Sequence, residues 1–306
     1  MYLNFGLCLV ILFILSCSNS PETSLINKKI DPIDQFEVPT EIQSSDISKL
    51  SNSIASYQKN TLTVDVWSYS LDKKYVLGGE GRGPGELGRI SKVTPFGEET
   101  LILDTVNKSI LRFGSSGEFI DNIYYDGMMM SLAVDQQMNI YHGLVNFDRI
   151  SVNRSTFHSF SNGETIFSMP IRDLSQSAFD LIVQDGHLLI NRYLTNQTIK
   201  INLKSRDIQI LSNTYIPEEA EFKQSGPYKL PLGPVWRTNA IIDSTLFQLR
   251  NIPDSKSEIY RSDLNGNINA LFTFNHYTTS FFEYGDEVWM FSPDSLYKYS
   301  KSSFLN

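Results

Sequence analysis

The sequence predicts an all-β chain folded as a six-bladed β-propeller with four-stranded antiparallel blades. Three observations lead there. Beyond the N-terminus, helical periodicity is missing, and short β-branched and aromatic runs recur between Gly, Asn, Asp and Pro residues. One unit also repeats: an apolar triplet, a polar turn, then an apolar strand that ends on a polar residue. The polar ends fall at positions 65, 104, 142, 191, 248 and 292, spaced 39, 38, 49, 57 and 44 residues apart. Their mean of roughly 45 residues suits a propeller blade. Finally, a second apolar hairpin follows each unit, as in Ser109-Ile110-Leu111-Arg112-Phe113, a Gly114-to-Gly117 turn and Glu118-Phe119-Ile120, which supplies four strands per repeat. Radial closure of such sheets leaves only short, protected edges.

Composition fits a water-compatible globular chain. Of 306 residues, 41% are hydrophobic and 20% charged, and the formal charge is −8, which argues against a basic nucleic-acid surface. In chain order, residues 5–15 form an uncharged apolar run of 11 residues, where a membrane-spanning helix needs about 20. The run has signal-peptide length and leads into Ile14-Leu15-Ser16-Cys17, similar to a bacterial lipobox, although no Lys or Arg precedes it. Residues 1–16 are therefore read as a lipoprotein signal and Cys17 as the lipidated first residue, a form of anchoring that holds a protein stably to a bilayer. The only other cysteine, Cys8, lies inside the signal, so the mature domain has no thiol for a disulfide or a zinc site. Residues 17–45 read as a tether, and residues 46–306 as the propeller. The last blade is short of a strand, which Phe36-Glu37-Val38 is placed to supply.

Residues 78–87, GGEGRGPGEL without its first flanking strand, combine with Asp104-Thr105-Val106-Asn107-Lys108-Ser109-Ile110 and Phe113-Gly114-Ser115-Ser116-Gly117. Over residues 75–125 this pattern resembles the six-bladed, NHL-like β-propeller lipoproteins of Bacteroidetes-type bacteria. The resemblance implies an envelope address, that of an outer-membrane lipoprotein, and the absence of an acidic run just after Cys17 favours a periplasm-facing position. Related propellers are protein- or ligand-binding platforms, and more distant ones are metal-dependent lactonases or lyases. The glycine run itself lacks the Lys-Ser/Thr of a phosphate loop. Its glycines suit positive φ at a blade crossover, where Arg82 and Arg89 can meet a carboxylate.

The polar column Asp65, Asp104, His142, Asn191, Gln248 and Ser292 would form a ring at one mouth of the channel if its strands were innermost. The plainer reading is that these side chains cap turns. A metal alternative takes Asp65, Asp104, His142 and Asn191 as ligands of one divalent cation such as calcium. Histidines 158, 187 and 276 show no metal-like pairing, and no Gly-x-Ser-x-Gly elbow is present. The longest insertion, residues 213–235, offers Tyr228 together with the following Trp236 and Arg237 as recognition contacts. Together these features predict a monomeric, lipid-anchored module that binds a protein or small envelope ligand, without cofactor and without nucleic acid. The alternative is a metal-dependent hydrolase, lactonase or lyase.

Overall fold

The computed structural model describes residues 26–43, 45–58, 62–146, 148–171, 179–192, 197–212, 222–225, 228–231, 236–252 and 256–306. Two short strands, β1 (Ile26–Lys28) and β2 (Asp34–Glu37), precede the repeats. Blade 1 holds β3 (Asp46–Lys49), β4 (Ile54–Tyr57), β5 (Thr63–Trp67) and β6 (Lys73–Gly78). Blade 2 holds β7 (Ile90–Phe96), β8 (Glu99–Asp104), β9 (Ser109–Phe113) and β10 (Phe119–Tyr124). Blade 3 holds β11 (Met128–Val134), β12 (Ile140–Asn146), β13 (Arg149–Ser155) and β14 (Glu164–Pro170). Blade 4 is β15 (Phe179–Gln184), β16 (His187–Arg192), β17 (Gln197–Asn202) and β18 (Ile208–Ser212). A separate hairpin follows, β19 (Phe222–Ser225) with β20 (Tyr228–Pro231). Blade 5 is β21 (Trp236–Ile242), β22 (Thr245–Ile252), β23 (Lys256–Ser262) and β24 (Ile268–Phe274), and blade 6 starts with β25 (Ser280–Tyr284), β26 (Glu287–Phe291) and β27 (Ser295–Ser300).

Ring closure is visible in the packing. The first strand of each blade touches the first strand of both neighbours: β3 meets β7, β7 meets β11, β11 meets β15, β15 meets β21, β21 meets β25, and β25 meets β3. These six strands therefore surround the axis. Blade 6 takes its fourth strand from the N-terminal side, where β2 pairs antiparallel to β27 with Phe36 opposite Leu296. β1 adds a parallel fifth strand outside β24.

Each blade is buried on both faces, which is why its second strands read as unbroken apolar runs rather than alternating ones. Leu101 and Leu103 face blade 3 while Ile102 between them faces blade 1, because successive strand side chains point oppositely. Six apolar clusters result, one at each blade boundary. Trp67 and Trp289 both lie in the cluster that joins blade 6 to blade 1, with Val38 and Ile42 of the segment leading from β2 into β3. The C-terminal helix α1 (Lys301–Leu305) drives Phe304 into the boundary between blades 5 and 6, and Arg261 Nη1 donates to the Phe304 and Leu305 carbonyls at 2.9 and 2.6 Å.

Antiparallel order also sorts the connections. Turns between first and second strands, and between third and fourth, lie at one end of the ring. Turns between second and third strands lie at the other end, with the crossovers to the next blade. The 79–89 run is such a crossover, and the β19–β20 hairpin falls in chain order between the last strand of blade 4 and the first strand of blade 5.

Candidate functional site

The structure moves the predicted polar column off the channel. Asp104, His142, Asn191 and Gln248 lie on second strands, Ser292 just after one, and Asp65 on the third strand of its blade. The premise that these strands are innermost is therefore corrected. In blade 1 the true first strand, Asp46-Ile47-Ser48-Lys49, has a single apolar residue, so an apolar pattern starts one strand late. In blades 2, 4 and 6 the second strand is the most continuously buried because both of its faces meet neighbouring blades, so the polar residue at its end stands out in the sequence.

Three of these side chains, Asp65, Asp104 and His142, bond within their own blade. Asp65 pairs with Lys73 at 2.9 Å. The Asp104 carboxylate is fully buried and accepts from the Gly88, Arg89, Val106 and Asn107 backbone N–H groups at 2.6–3.0 Å, and from Asn107 Nδ2 at 2.9 Å. It thus ties the glycine-rich crossover to the β8–β9 turn. Within that crossover Gly78, Gly81 and Gly85 do take positive φ. At Gly78 a Cβ would lie 2.2 Å from Leu87 Cδ1, so both the conformation and the close approach require glycine. The Ser292 backbone N–H closes a turn onto the Ser295 carbonyl at 2.8 Å. Asn191 and Gln248 face the same boundary, between blades 4 and 5. Gln248 Nε2 donates to Thr198 Oγ1 at 3.1 Å, and Thr198 lies directly across from Asn191. Asn191 Nδ2 is buried there without a hydrogen-bond partner among the described residues. Among the described residues, no three His, Cys, Asp or Glu side chains gather as a metal-binding group.

His142 is buried, stacks on Phe160 at 4.2 Å between centroids and lies 3.5 Å from Ser155 Oγ, and burial lowers its pKa to about 4. His276, stacked on Tyr297 at 3.9 Å and paired with Tyr299 Oη at 3.0 Å, is lowered by burial to about 4 as well. In the unfolded chain both rings protonate near 6.5. Folding stability is therefore intact above pH 6.5 and falls as the pH drops towards 4, because the unfolded state takes up protons first. His142→Phe keeps the stacking and should remove about 2 kcal/mol of the stability lost between pH 7 and pH 5. Urea unfolding of both proteins at the two pH values checks this; parallel losses would count against a buried neutral ring.

The channel has a polar column of its own, one strand further in. Each first strand has a polar residue just ahead of its apolar stretch: Asp46, Lys92, Ser131, Asp180, Asn239 and Ser280. First strands run away from the crossover face, so this column opens towards that face. Lys92 of blade 2 reaches past blade 3 to both Asp180 oxygens of blade 4, at 2.9 and 2.7 Å. Ser131 Oγ of blade 3 donates to Asp180 Oδ1, and the Leu181 N–H donates to Ser131 Oγ at 3.0 Å. Ser280 Oγ donates to the Ile47 carbonyl at 3.0 Å, linking blades 6 and 1. Beside the column is the buried Tyr57 hydroxyl, which hydrogen-bonds Ser48 and the Val93 backbone; burial and the nearby Asp46 charge raise its pKa well above the usual phenol range. The register shifts at Ile90/Lys92, Met129/Ser131 and Trp236/Thr238 put a bulge beside the column in three blades, a device that re-aims side chains. Sequence reasoning passed over five of these residues because each stands just before the apolar run by which its repeat is recognised, and over Asp46 because its strand has a single apolar residue. Their recurrence at one place in the repeat was the signal.

Comparison with known proteins adds the fold. No protein-family model matches the chain, and no curated protein sequence does either. Among solved structures it resembles a member of the DUF4221 family from Bacteroides vulgatus, with TM-score 0.58, 10% identity, and 88% of this chain and 96% of that one covered. It also resembles a Bacteroides fragilis protein provisionally named as exported, with TM-score 0.58, 10% identity, and 87% and 88% covered. The WD40 repeats of RRP9 give TM-score 0.55 at 9% identity, with 87% and 97% covered. At such identities the likeness establishes the propeller fold alone.

The loop candidates Arg82 and Arg89 lie on the crossover face. Both are exposed, and neither has an ion-pair partner among the described residues. Tyr228 opens the inserted β20, Trp236 opens β21, and Arg237 occupies the β21 bulge; their side chains lie outside the described part. Cys17 also lies outside the described residues. On the same face Val106, Tyr124 and Met128 are exposed apolar side chains of blades 2 and 3. Arg192, at the crossover end of β16, is only 4% exposed; its Nη1 donates to Gln197 Oε1 at 2.9 Å while Nε has no partner among the described residues. Among the described residues no carboxylate pairs with it, and burial lowers its pKa. Since burying an unpaired charge costs free energy, Arg192→Met should raise the unfolding free energy by about 1–2 kcal/mol, as measured by denaturant titration. A loss instead would show that the charge is compensated.

Proposed function

We propose that the chain is a lipid-anchored, NHL-like envelope propeller that binds a protein or small envelope ligand on its crossover face. The carrying observation is the asymmetry of the two faces. One collects the glycine-rich crossover with two exposed arginines, the exposed side chains of Val106, Tyr124 and Met128 and the mouth of the charged channel. The opposite face consists mainly of tight hairpin turns. Specificity on a rigid scaffold resides in such long loops. The likeness to a Bacteroides fragilis protein provisionally named as exported supports an envelope address, and the lipobox-like Cys17 supports anchoring, with the periplasmic side of the outer membrane as the proposed position. No described helix is long and apolar enough to cross a membrane.

Two measurements test this reading. Full-length chain made in a bacterial host should incorporate labelled palmitate and sediment with outer membranes, and Cys17→Ala should abolish both. A photo-crosslinking amino acid placed at Arg82 or Tyr124 should trap one discrete envelope species that the same probe at Glu98 or Asp286, on the opposite face, does not trap. Equal capture from both faces would contradict the assigned surface.

A further inference from the structure

The opposite face has one feature that its hairpins do not explain. Between blades 3 and 4 lies a cleft of about 720 Å³, bounded by the β11–β12 and β15–β16 turns and by the β17–β18 turn. Its size lies within the usual range for a small-molecule site. Most first-to-second-strand turns on this face bear an acid: Glu98, Asp135, Asp185, Asp243 and Asp286. The cleft is different because Arg154 and Lys204 also line it.

Neither cation has an ion-pair partner among the described residues, and the nearby carboxylates are already committed. Glu164, directly across the sheet from Arg154, gives both oxygens to Arg206 Nη2 at 3.1 and 3.0 Å. Asp135 accepts from the Gln137 and Asn139 backbone N–H groups, from Asn139 Nδ2 and from the Tyr141 hydroxyl, so both of its oxygens are filled as well. What stays available in the cleft is a half-buried guanidinium, an exposed ammonium, the exposed amides of Gln136 and Gln137, and the exposed carboxylate of Asp185. Asp185 is held at φ 50 in its turn, a conformation that Asp adopts more readily than most residues.

We infer that this cleft is a second binding site, which takes a small hydroxylated organic acid of sugar-acid type. The acid group bonds Arg154, whose planar fork suits a carboxylate, with Lys204 as a second positive charge. The amides and Asp185 meet the hydroxyl groups. This site is separate from the crossover-face reading and stands or falls without it.

The test titrates the purified full-length protein with D-glucuronate by calorimetry, using D-glucose and inorganic phosphate as comparisons. Glucuronate should bind and glucose should not. Arg154→Gln and Lys204→Gln should each weaken glucuronate binding at least tenfold without lowering Tm. Asp185→Asn, which tolerates the same backbone, should weaken it severalfold. Lys108→Gln, on the crossover face, should leave it unchanged. The inference is overturned if glucuronate fails to bind at 20 mM, if the two cation variants bind as well as the parent, or if phosphate alone binds.

Discussion

Replacing Asp104 with alanine is expected to cost about 3–5 kcal/mol of stability, because five N–H donors in a buried turn lose their acceptor together. The residue is 0% exposed and its carboxylate is shared between the crossover from blade 1 and the β8–β9 turn. Tyr125 adds a hydroxyl bond to the Asp104 carbonyl at 3.1 Å, so the crossover from blade 2 to blade 3 leans on the same point. Asp104→Asn should be nearly as damaging, since its amide would present a donor to donors. Asp65→Ala provides the contrast: its ion pair with Lys73 is partly exposed and should be worth under about 1 kcal/mol. Chemical unfolding of the three variants decides the matter, and equal losses for Asp104 and Asp65 would refute the assigned role.

Phe304→Ala should cost a similar about 3–5 kcal/mol and lower Tm by about 10 °C, the range for emptying a buried aromatic site in a chain of this size. Phe304 is 0% exposed, with ring centroids 5.0 Å from Phe272, 5.9 Å from Phe247 and 5.8 Å from Tyr299. One side chain from a five-residue helix thus joins blades 5 and 6. Phe304→Leu should recover more than half of the loss, whereas Ser302→Ala, on the exposed side of that helix, should change nothing measurable. A thermal melt of Phe304→Ala that matches the parent would mean the C-terminus is dispensable.

Much of the fold was legible in the sequence because propeller blades bury both faces. Runs such as Leu101-Ile102-Leu103 and Leu188-Leu189-Ile190 can only be satisfied by neighbours on either side, and their spacing counts the blades. The strand near Phe36 was legible for a complementary reason: blade 6 ran out of sequence before its fourth strand. The site was less legible. A polar residue at the end of an apolar run looks the same whether it caps a turn, as Asp104 does, or faces a channel, as Asp180 does. What separates them is which strand is innermost, and that depends on blade 1 beginning at the weakly apolar Asp46–Lys49. Asn191 and Gln248 lie opposite the column residues Asp180 and Asn239, whereas His142 lies one position off, opposite Leu132 rather than Ser131, so equal sequence rank did not become equal height in blade 3. The apolar boundary between blades 4 and 5 is where Asn191, Thr198 and Gln248 intrude, a polar insertion no spacing argument foresees.

The closed ring is the claim on which both proposed sites depend, and an engineered cross-link tests it most directly. Glu37 and Ser295 lie opposite each other across the β2–β27 pair, where Cα atoms are about 4.5–5.5 Å apart and a disulfide fits. With Cys8 and Cys17 replaced by serine, Glu37→Cys with Ser295→Cys should oxidise quantitatively to a monomeric, faster-migrating species and raise Tm. Free thiols after oxidation, or cross-linked dimers alone, would show that the N-terminal strand does not close the sixth blade.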